Sequence, residues 1–307
     1  MYGQGQTRGR TGLLRTEATT NQACFAILPN DRFDSEFLQL WFCHSYQRLR
    51  DQTEGRGGNQ SNLNGTVLRE EIVPLPLPED QRRISARLRE QMAEVERARV
   101  AVQEQLNTVQ TLVQSLLRES LKTKVLHKWR IPECLSEITQ GIGERWNEFP
   151  VLGATRAGVA PAKEGVGKNP GRYKPVTPGT LFYNPMRILL GSIAMVSEED
   201  KPGITSPDYV VMRGIEGRLH STWFYHWFRS PDGAAFIQSL TRGAVRERLL
   251  FSRLAKAEIK TPSWQTQLQV VEQFKEVKRL QQSLETRLAE IAPLPAALLR
   301  EAFRQQI

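Results

Sequence analysis

The sequence predicts an α+β fold in which an irregular mixed α/β segment followed by a long helix occurs twice in tandem, the two helices packing as a pair. Two observations lead there. First, a shift of 186 positions brings the chain into register with itself. Trp41-Phe42 then meets Trp227-Phe228, Arg56-Gly57 meets Arg242-Gly243, Leu68 meets Leu254, Pro76 meets Pro262 and Gln81 meets Gln267. After a slip of four residues, Leu116-Leu117-Arg118-Glu119 falls on Leu298-Leu299-Arg300-Glu301. A long-period repeat of this kind marks a duplicated architectural unit. Second, each copy ends in an apolar-periodic stretch whose stripe cannot be buried by the helix alone.

The elements follow in order. Residues 1–78 form a partial first copy, with glycines at 3, 5, 9 and 12 and again at 55, 57, 58 and 65 punctuating short apolar runs. Asp34-Ser35 opens a helical patch over Phe37–Leu49. The run Ile72-Val73-Pro74-Leu75-Pro76-Leu77-Pro78 excludes helix, because each proline drives its predecessor towards extended geometry; a strand leading into a stiff connector is expected. The long helix occupies 79–124, with Glu79 and Asp80 at the end where the helix dipole favours acids. Its apolar positions at 84, 88, 92, 95, 98, 102, 106, 109, 113 and 116 recur with a mean spacing of about 3.56, giving a helix of roughly 60 Å.

Residues 125–262 form the second globular copy, with strands expected at Thr180–Tyr183, Ile188–Val196 and Tyr209–Met212 and a helix at Ser221–Arg229. Residues 263–307 form the closing helix, with apolar positions at 270, 274, 277, 280, 284, 288 and 291, a break at Pro293 and Pro295, and a short helix from Ala296 to Phe303. The second copy runs from about Trp129, whose counterpart in the first would stand about 60 residues ahead of Met1. The first copy is therefore expected to be truncated, or its start misassigned, leaving residues 1–76 poorly folded with open strand edges.

Charge narrows the function. The formal net charge of +9 points to an acidic partner, nucleic acid first. The long helix is close to neutral, with 8 Lys/Arg against 7 Asp/Glu over 79–122. Residues 151–190 carry 6 against 1 and residues 241–260 carry 6 against 2, so the excess sits on the second globular copy. Three cysteines without CxxC spacing suggest reduced thiols in a cytoplasmic protein, and the four histidines show no metal-ligand spacing. No apolar run reaches about 18 residues.

Enzyme signatures fail on inspection. Asn184-Pro185-Met186-Arg187 lacks the second proline and the aromatic ring of the amino-methyltransferase motif, and no glycine-rich nucleotide fingerprint precedes it. Pro207-Asp208 with Glu258-Ile259-Lys260 has the letters of a nuclease metal site, but its halves lie 50 residues apart. Gly141-Ile142-Gly143 is too short for a phosphate loop. No serine or cysteine pairs with a histidine base. The sequence reads as a binder without cofactor or metal.

Arg156, Lys163, Lys168, Arg172 and Lys174 crowd a glycine-bearing stretch around Tyr173, and long cations on such backbone suit phosphate contacts. The repeat matches Arg56-Gly57 with Arg242-Gly243, which adds both loops to the DNA-binding candidates. Around them Asn59 and Gln60 supply amides suited to adenine, whereas Arg246 supplies a guanidinium suited to guanine, so the copies should prefer different sequences. Trp41 and Trp227, among apolar helical neighbours, are expected in cores.

Several of these segments resemble a known family. Leu75-Pro76-Leu77-Pro78-Glu79-Asp80-Gln81-Arg82-Arg83-Ile84, with the helix that follows and Leu116–Leu121, is similar to the conserved spacer of type I restriction-modification specificity subunits. Thr19-Thr20-Asn21-Gln22-Ala23, Tyr183-Asn184-Pro185-Met186-Arg187, Gly191-Ser192-Ile193-Ala194 and Ser206-Pro207-Asp208-Tyr209 resemble segments of that family's target-recognition domains. With the repeat, the resemblance spans essentially the whole chain.

It implies two target-recognition domains, each reading half of a bipartite DNA site, on helices that pair as an antiparallel coiled coil and set the half-site spacing. It also implies a non-catalytic subunit whose partners are double-stranded DNA, adenine methyltransferase subunits using S-adenosylmethionine, and an ATP-dependent restriction subunit. The helices dock the methyltransferase, which assigns Ile84, Leu88, Val95, Leu106, Phe274, Leu284 and Leu288 to partner binding. The alternative is a degenerate scaffold that binds the methyltransferase without reading DNA.

Overall fold

The structure is a computed structural model; it describes residues 9–21, 24–51, 63, 65–123, 125–241 and 248–304. They divide into two compact units, 1–106 with 282–307, and 107–281. The boundary cuts both long helices, so each unit holds parts of both.

In the first unit, α1 (Ser35–His44) starts where Asp34 accepts a hydrogen bond from the Phe37 N–H, and α2 (Tyr46–Asp51) continues it beyond Ser45. The short α3 (Gly65–Arg69) precedes α4 (Pro78–Leu121), whose first turn carries Glu79 and Asp80. Phe37, Leu38, Trp41, Phe42, Leu49 and Leu68 share one core with Ile84 and Leu88 of α4 and with Leu299, Ala302 and Phe303 of α10 (Leu294–Arg304). The expectation that residues 1–76 are poorly folded is corrected for the described helices α1 to α3, which share this core. The closing helix supplies the apolar partner that α1 needs, with the Phe37 and Phe303 rings edge to face at 5.4 Å.

The expected strand at 72–78 is also corrected: the segment is extended but belongs to no sheet. Its repeat counterpart is β10 (Glu258–Thr261), which forms a two-stranded sheet with β1 (His127–Arg130). Among the described residues no strand pairs with this segment, and Ile72 stands 86% exposed.

The second unit is built on a four-stranded antiparallel sheet. In spatial order it comprises β2 (Leu135–Glu137), β9 (Val210–Gly214), β6 (Leu181–Tyr183) and β7 (Ile193–Met195). Side chains alternate across it as the pleat requires. Leu181, Tyr183, Ile193, Val210 and Met212 enter the core that holds Trp223, Phe224 and Phe228 of α6 (Ser221–Phe228). Phe182, Ala194 and Val211 enter a second core on the other side, with Ala154 of β3 (Leu152–Thr155) and Val176 of β5 (Lys174–Val176). Strand β3 pairs with β4 (Gly158–Pro161), and β5 pairs with β8 (Gly203–Thr205). The expected strand Ile188–Val196 is two elements: a 3-10 turn at Ile188–Leu190, then β7. Gly191 between them sits at φ 79°, a left-handed geometry that ends the turn and reverses the chain.

Helices α7 (Pro231–Thr241) and α8 (Phe251–Leu254) lead to β10 and α9 (Trp264–Ile291). Val270, Val271 and Phe274 of α9 share the α6 core with Leu117 of α4, and Val113, Leu116 and Leu121 pack against it. Helix α4 therefore brings its first turns to the chain's terminal helix in one unit, and its last turns to the first turns of α9 in the other.

One contact repeats atom for atom. Gln267 is wholly buried; its amide donates to the carbonyls of Arg218 (2.9 Å) and Pro262 (3.0 Å) and accepts from the His220 N–H (2.8 Å). Gln81 does the same with Arg32 (3.2 Å), Pro76 (2.8 Å) and the Asp34 N–H (2.7 Å). Every partner is displaced by the repeat interval. A leucine here would leave three backbone groups unpaired, so Gln81→Leu and Gln267→Leu are each expected to cost about 3 kcal/mol in urea denaturation of the whole chain. The same change at the exposed Gln238 is expected to cost under about 0.5 kcal/mol.

His226 of α6 packs 4.4 Å from the Phe274 ring. Burial, with Arg229 alongside, pushes its imidazole from 6.5 down to about 4. The folded state thus excludes a proton that the unfolded chain accepts. The associated stability is complete above about 6.5 and is lost as pH falls towards 4. Denaturation at pH 5 is expected to show a loss of about 2 kcal/mol from this group relative to pH 7, and His226→Phe is expected to reduce the difference, the smaller downward shifts of His44 and His220 remaining.

Candidate nucleic-acid interface

The basic stretch of the second unit lies on the connections of its small hairpins. Arg156 occupies the turn between β3 and β4 and is exposed. Its carbonyl accepts from the Arg229 guanidinium, which ties the turn to the end of α6. Lys163, Lys168 and Arg172 are exposed along the single connection from β4 to β5. That connection is held by its own backbone: Arg172 donates to the Asn169 carbonyl at 3.2 Å, and the Gly167 N–H donates to the Tyr173 hydroxyl at 3.0 Å. Tyr173 is buried, so it packs beneath the loop and offers no open stacking face.

Gly141 and Gly143 find their purpose here. A Cβ on Gly141 would lie 2.4 Å from the Gly171 carbonyl oxygen and 2.9 Å from Arg172 Cα. The glycine pair is a crossing of two backbones that seats the basic loop, which accounts for it without a phosphate ligand.

Lys174 stands apart from the other candidates. It is half-buried on β5, and its ammonium donates to the Tyr209 carbonyl at 2.7 Å. Burial lowers its pKa, while Glu137 and Asp208 oppose that shift. It braces the sheet against the loop before β9. Arg56, Asn59, Gln60, Arg242 and Arg246 lie outside the described residues.

The loop cations differ from the helix cations in their pairing. Along α4 and α9, Arg83, Arg97, Arg99, Lys122, Lys275 and Arg279 each hold a carboxylate one turn away. Among the described residues, Arg156, Lys163, Lys168 and Arg172 have no ion-pair partner. Arg187 joins them, exposed in the connection from β6 to β7; the signal was its place beside Asn184-Pro185-Met186, a segment weighed only for catalysis. Asn184 itself is a turn former, its side chain accepting from the Met186 N–H at 2.9 Å. The suspected nuclease halves are separated: Asp208 precedes β9, while Glu258 sits on β10 and pairs with Lys128 at 2.5 Å.

The helix stripe assigned to partner binding is corrected in part. Ile84 and Leu88 lie in the first unit's core and Phe274 in the second's, so their apolar surface is satisfied inside the chain. Leu106 and Leu284 are buried as well. Val95 and Leu288 keep part of their surface open.

Residues 2–104 match the family described as the type I restriction modification DNA specificity domain. The fold is similar to that of a chain from a structure on complex assembly and conformational transition of the type I R-M system. That match has a TM-score of 0.61 at 16% identity and covers 90% of this chain and 73% of the other. It is also similar to the HsdS subunit from Thermoanaerobacter tengcongensis, with a TM-score of 0.55 at 18% identity, covering 89% and 70%. Residues 2–104 thus match a type I restriction modification DNA specificity domain, and the fold over nine-tenths of the chain is similar to that of these two solved structures.

Proposed function

We propose that the chain binds double-stranded DNA through the hairpin connections of its second unit and, without catalysis of its own, directs adenine methyltransferase and restriction subunits to a target site. The observation that carries this reading is the division of charge. Arg83, Arg97, Arg99, Lys275 and Arg279 on the long helices are matched by carboxylates one turn away and the helices are near neutral, whereas Arg156, Lys163, Lys168 and Arg172 have no ion-pair partner among the described residues and lie on one domain's loops. Unpaired cations on backbone-anchored loops suit phosphate contacts, which position a protein on the duplex. Arg56, Asn59, Gln60, Arg242 and Arg246 complete the proposed DNA set, with Lys174 as a brace. Methyltransferase contacts fall to the open faces of α4 and α9, where Val95 and Leu288 retain exposed apolar surface amid balanced charge.

Binding of the whole chain to duplex DNA is expected to fall steeply with salt, by about 0.9 in the log–log slope for each phosphate engaged. Replacing Arg156, Lys163, Lys168 and Arg172 together by glutamine is expected to reduce that slope by about 3.6. A flat salt response in the unaltered chain overturns the DNA reading and leaves a scaffold. Val95→Asp with Leu288→Asp is expected to abolish co-purification with the methyltransferase while leaving the salt slope unchanged.

A further inference from the structure

The connection between β6 and β7 has a feature that phosphate binding does not need. Met186, Leu189 and Leu190 are exposed on it within five residues, Met186 at 59% and Leu190 at 71%. The connection is rigidly built. The Arg187 N–H donates to the Asn184 carbonyl at 3.0 Å, the Leu190 N–H to the Arg187 carbonyl at 3.0 Å, and the Gly191 N–H to the Ile188 carbonyl at 2.9 Å. Between the exposed side chains, Ile188 is sunk into the core of the unit and Pro185 is buried. The Leu249 N–H donates to the Pro185 carbonyl at 3.2 Å, which brings the exposed Leu250 and Arg248 to the same connection. The flexible alternative, apolar residues on a loose loop, does not describe this turn: the backbone holds them outward.

The surroundings of this apolar tip are cationic. Arg187 belongs to it, and the Arg156 side chain lies against Gly191, 3.5 Å from where a Cβ would stand. Across 151–190 the only acid is Glu164. An apolar tip ringed by arginines fits a surface that is anionic at its rim and apolar within, which is the make-up of a DNA groove: phosphates outside, base edges and thymine methyl groups inside. Leucine and methionine are among the side chains that proteins place against or between bases.

We infer that Met186, Leu189 and Leu190 form a base-contacting tip that enters the groove while Arg156, Arg187 and Arg248 hold the flanking phosphates. This rests on the DNA reading above and adds to it the residues that touch bases.

The two kinds of contact separate in a salt titration. The whole chain is titrated onto short duplexes of randomised sequence. Leu189→Ser with Leu190→Ser is expected to weaken binding by roughly tenfold or more at every salt concentration with an unchanged log–log slope, because apolar burial releases no counterions. Arg187→Gln is expected to lower the slope by about 0.9. Leu190→Ser alone, at the more exposed position, is expected to weaken binding with the melting temperature unaltered, which separates contact from folding. Wild-type affinity in the serine variants, with steep salt dependence intact, overturns the tip and leaves the DNA reading standing. A flat salt response in the unaltered chain removes both. Serine variants that keep DNA affinity but lose the methyltransferase overturn the tip in favour of a protein contact.

Discussion

The buried glutamine at the head of each long helix is the contact on which the arrangement depends. Gln81 and Gln267 each join three backbone segments: the proline-bearing extended segment that leads into the helix, the carbonyl two residues ahead of a helix cap, and the N–H of that cap itself. The cap residues, Asp34 and His220, in turn hold the first turns of α1 and α6. One amide thus ties the helix carrying each core's aromatic residues to the long helix that follows it. A side chain that both donates and accepts is required, because two carbonyls and one N–H converge on the same buried point.

From that tie follows the division of labour within the second unit. One face of the four-stranded sheet is covered by α6, α9 and the last turns of α4, and the Trp223 indole donates to Ser120 of α4 at 3.2 Å. The other face is covered by the small hairpins, whose connections bear the unpaired cations. Hydrophobic burial and helix attachment occupy one side, and the basic loops are displayed on the other. Much of the charge on the near-neutral helices is held in exposed one-turn ion pairs. Their effect is to remove the helices from competition for an anionic ligand.

The sequence disclosed the repeat because the paired residues are large and chemically distinctive: a tryptophan-phenylalanine pair, a proline and a glutamine at constant displacement. It disclosed the long helices because α4 offers many consecutive turns of one periodicity. The central sheet was only partly legible. Strands of three residues are too short to show a periodicity; Leu181–Tyr183, buried on both faces, reads as an apolar run, and β2 and β8 leave no mark. Ile188–Val196 reads as one strand because nothing local signals the turn except Gly191, and Leu189 and Leu190 look like core residues until their exposure is seen.

Duplication, charge placement and helix periodicity were determined by the sequence alone, because each is a property of residues compared along the chain. Which cations remain unpaired, which apolar side chains face outward, and whether Ile72–Leu75 finds a strand partner were decided only in the tertiary structure. Lys174 shows why: it resembles its neighbours in composition, yet folding brings the Tyr209 carbonyl to its ammonium across 35 residues of chain. Ion pairing, exposure and strand pairing depend on what lies opposite in space, and in this chain the opposite group comes from far along the sequence.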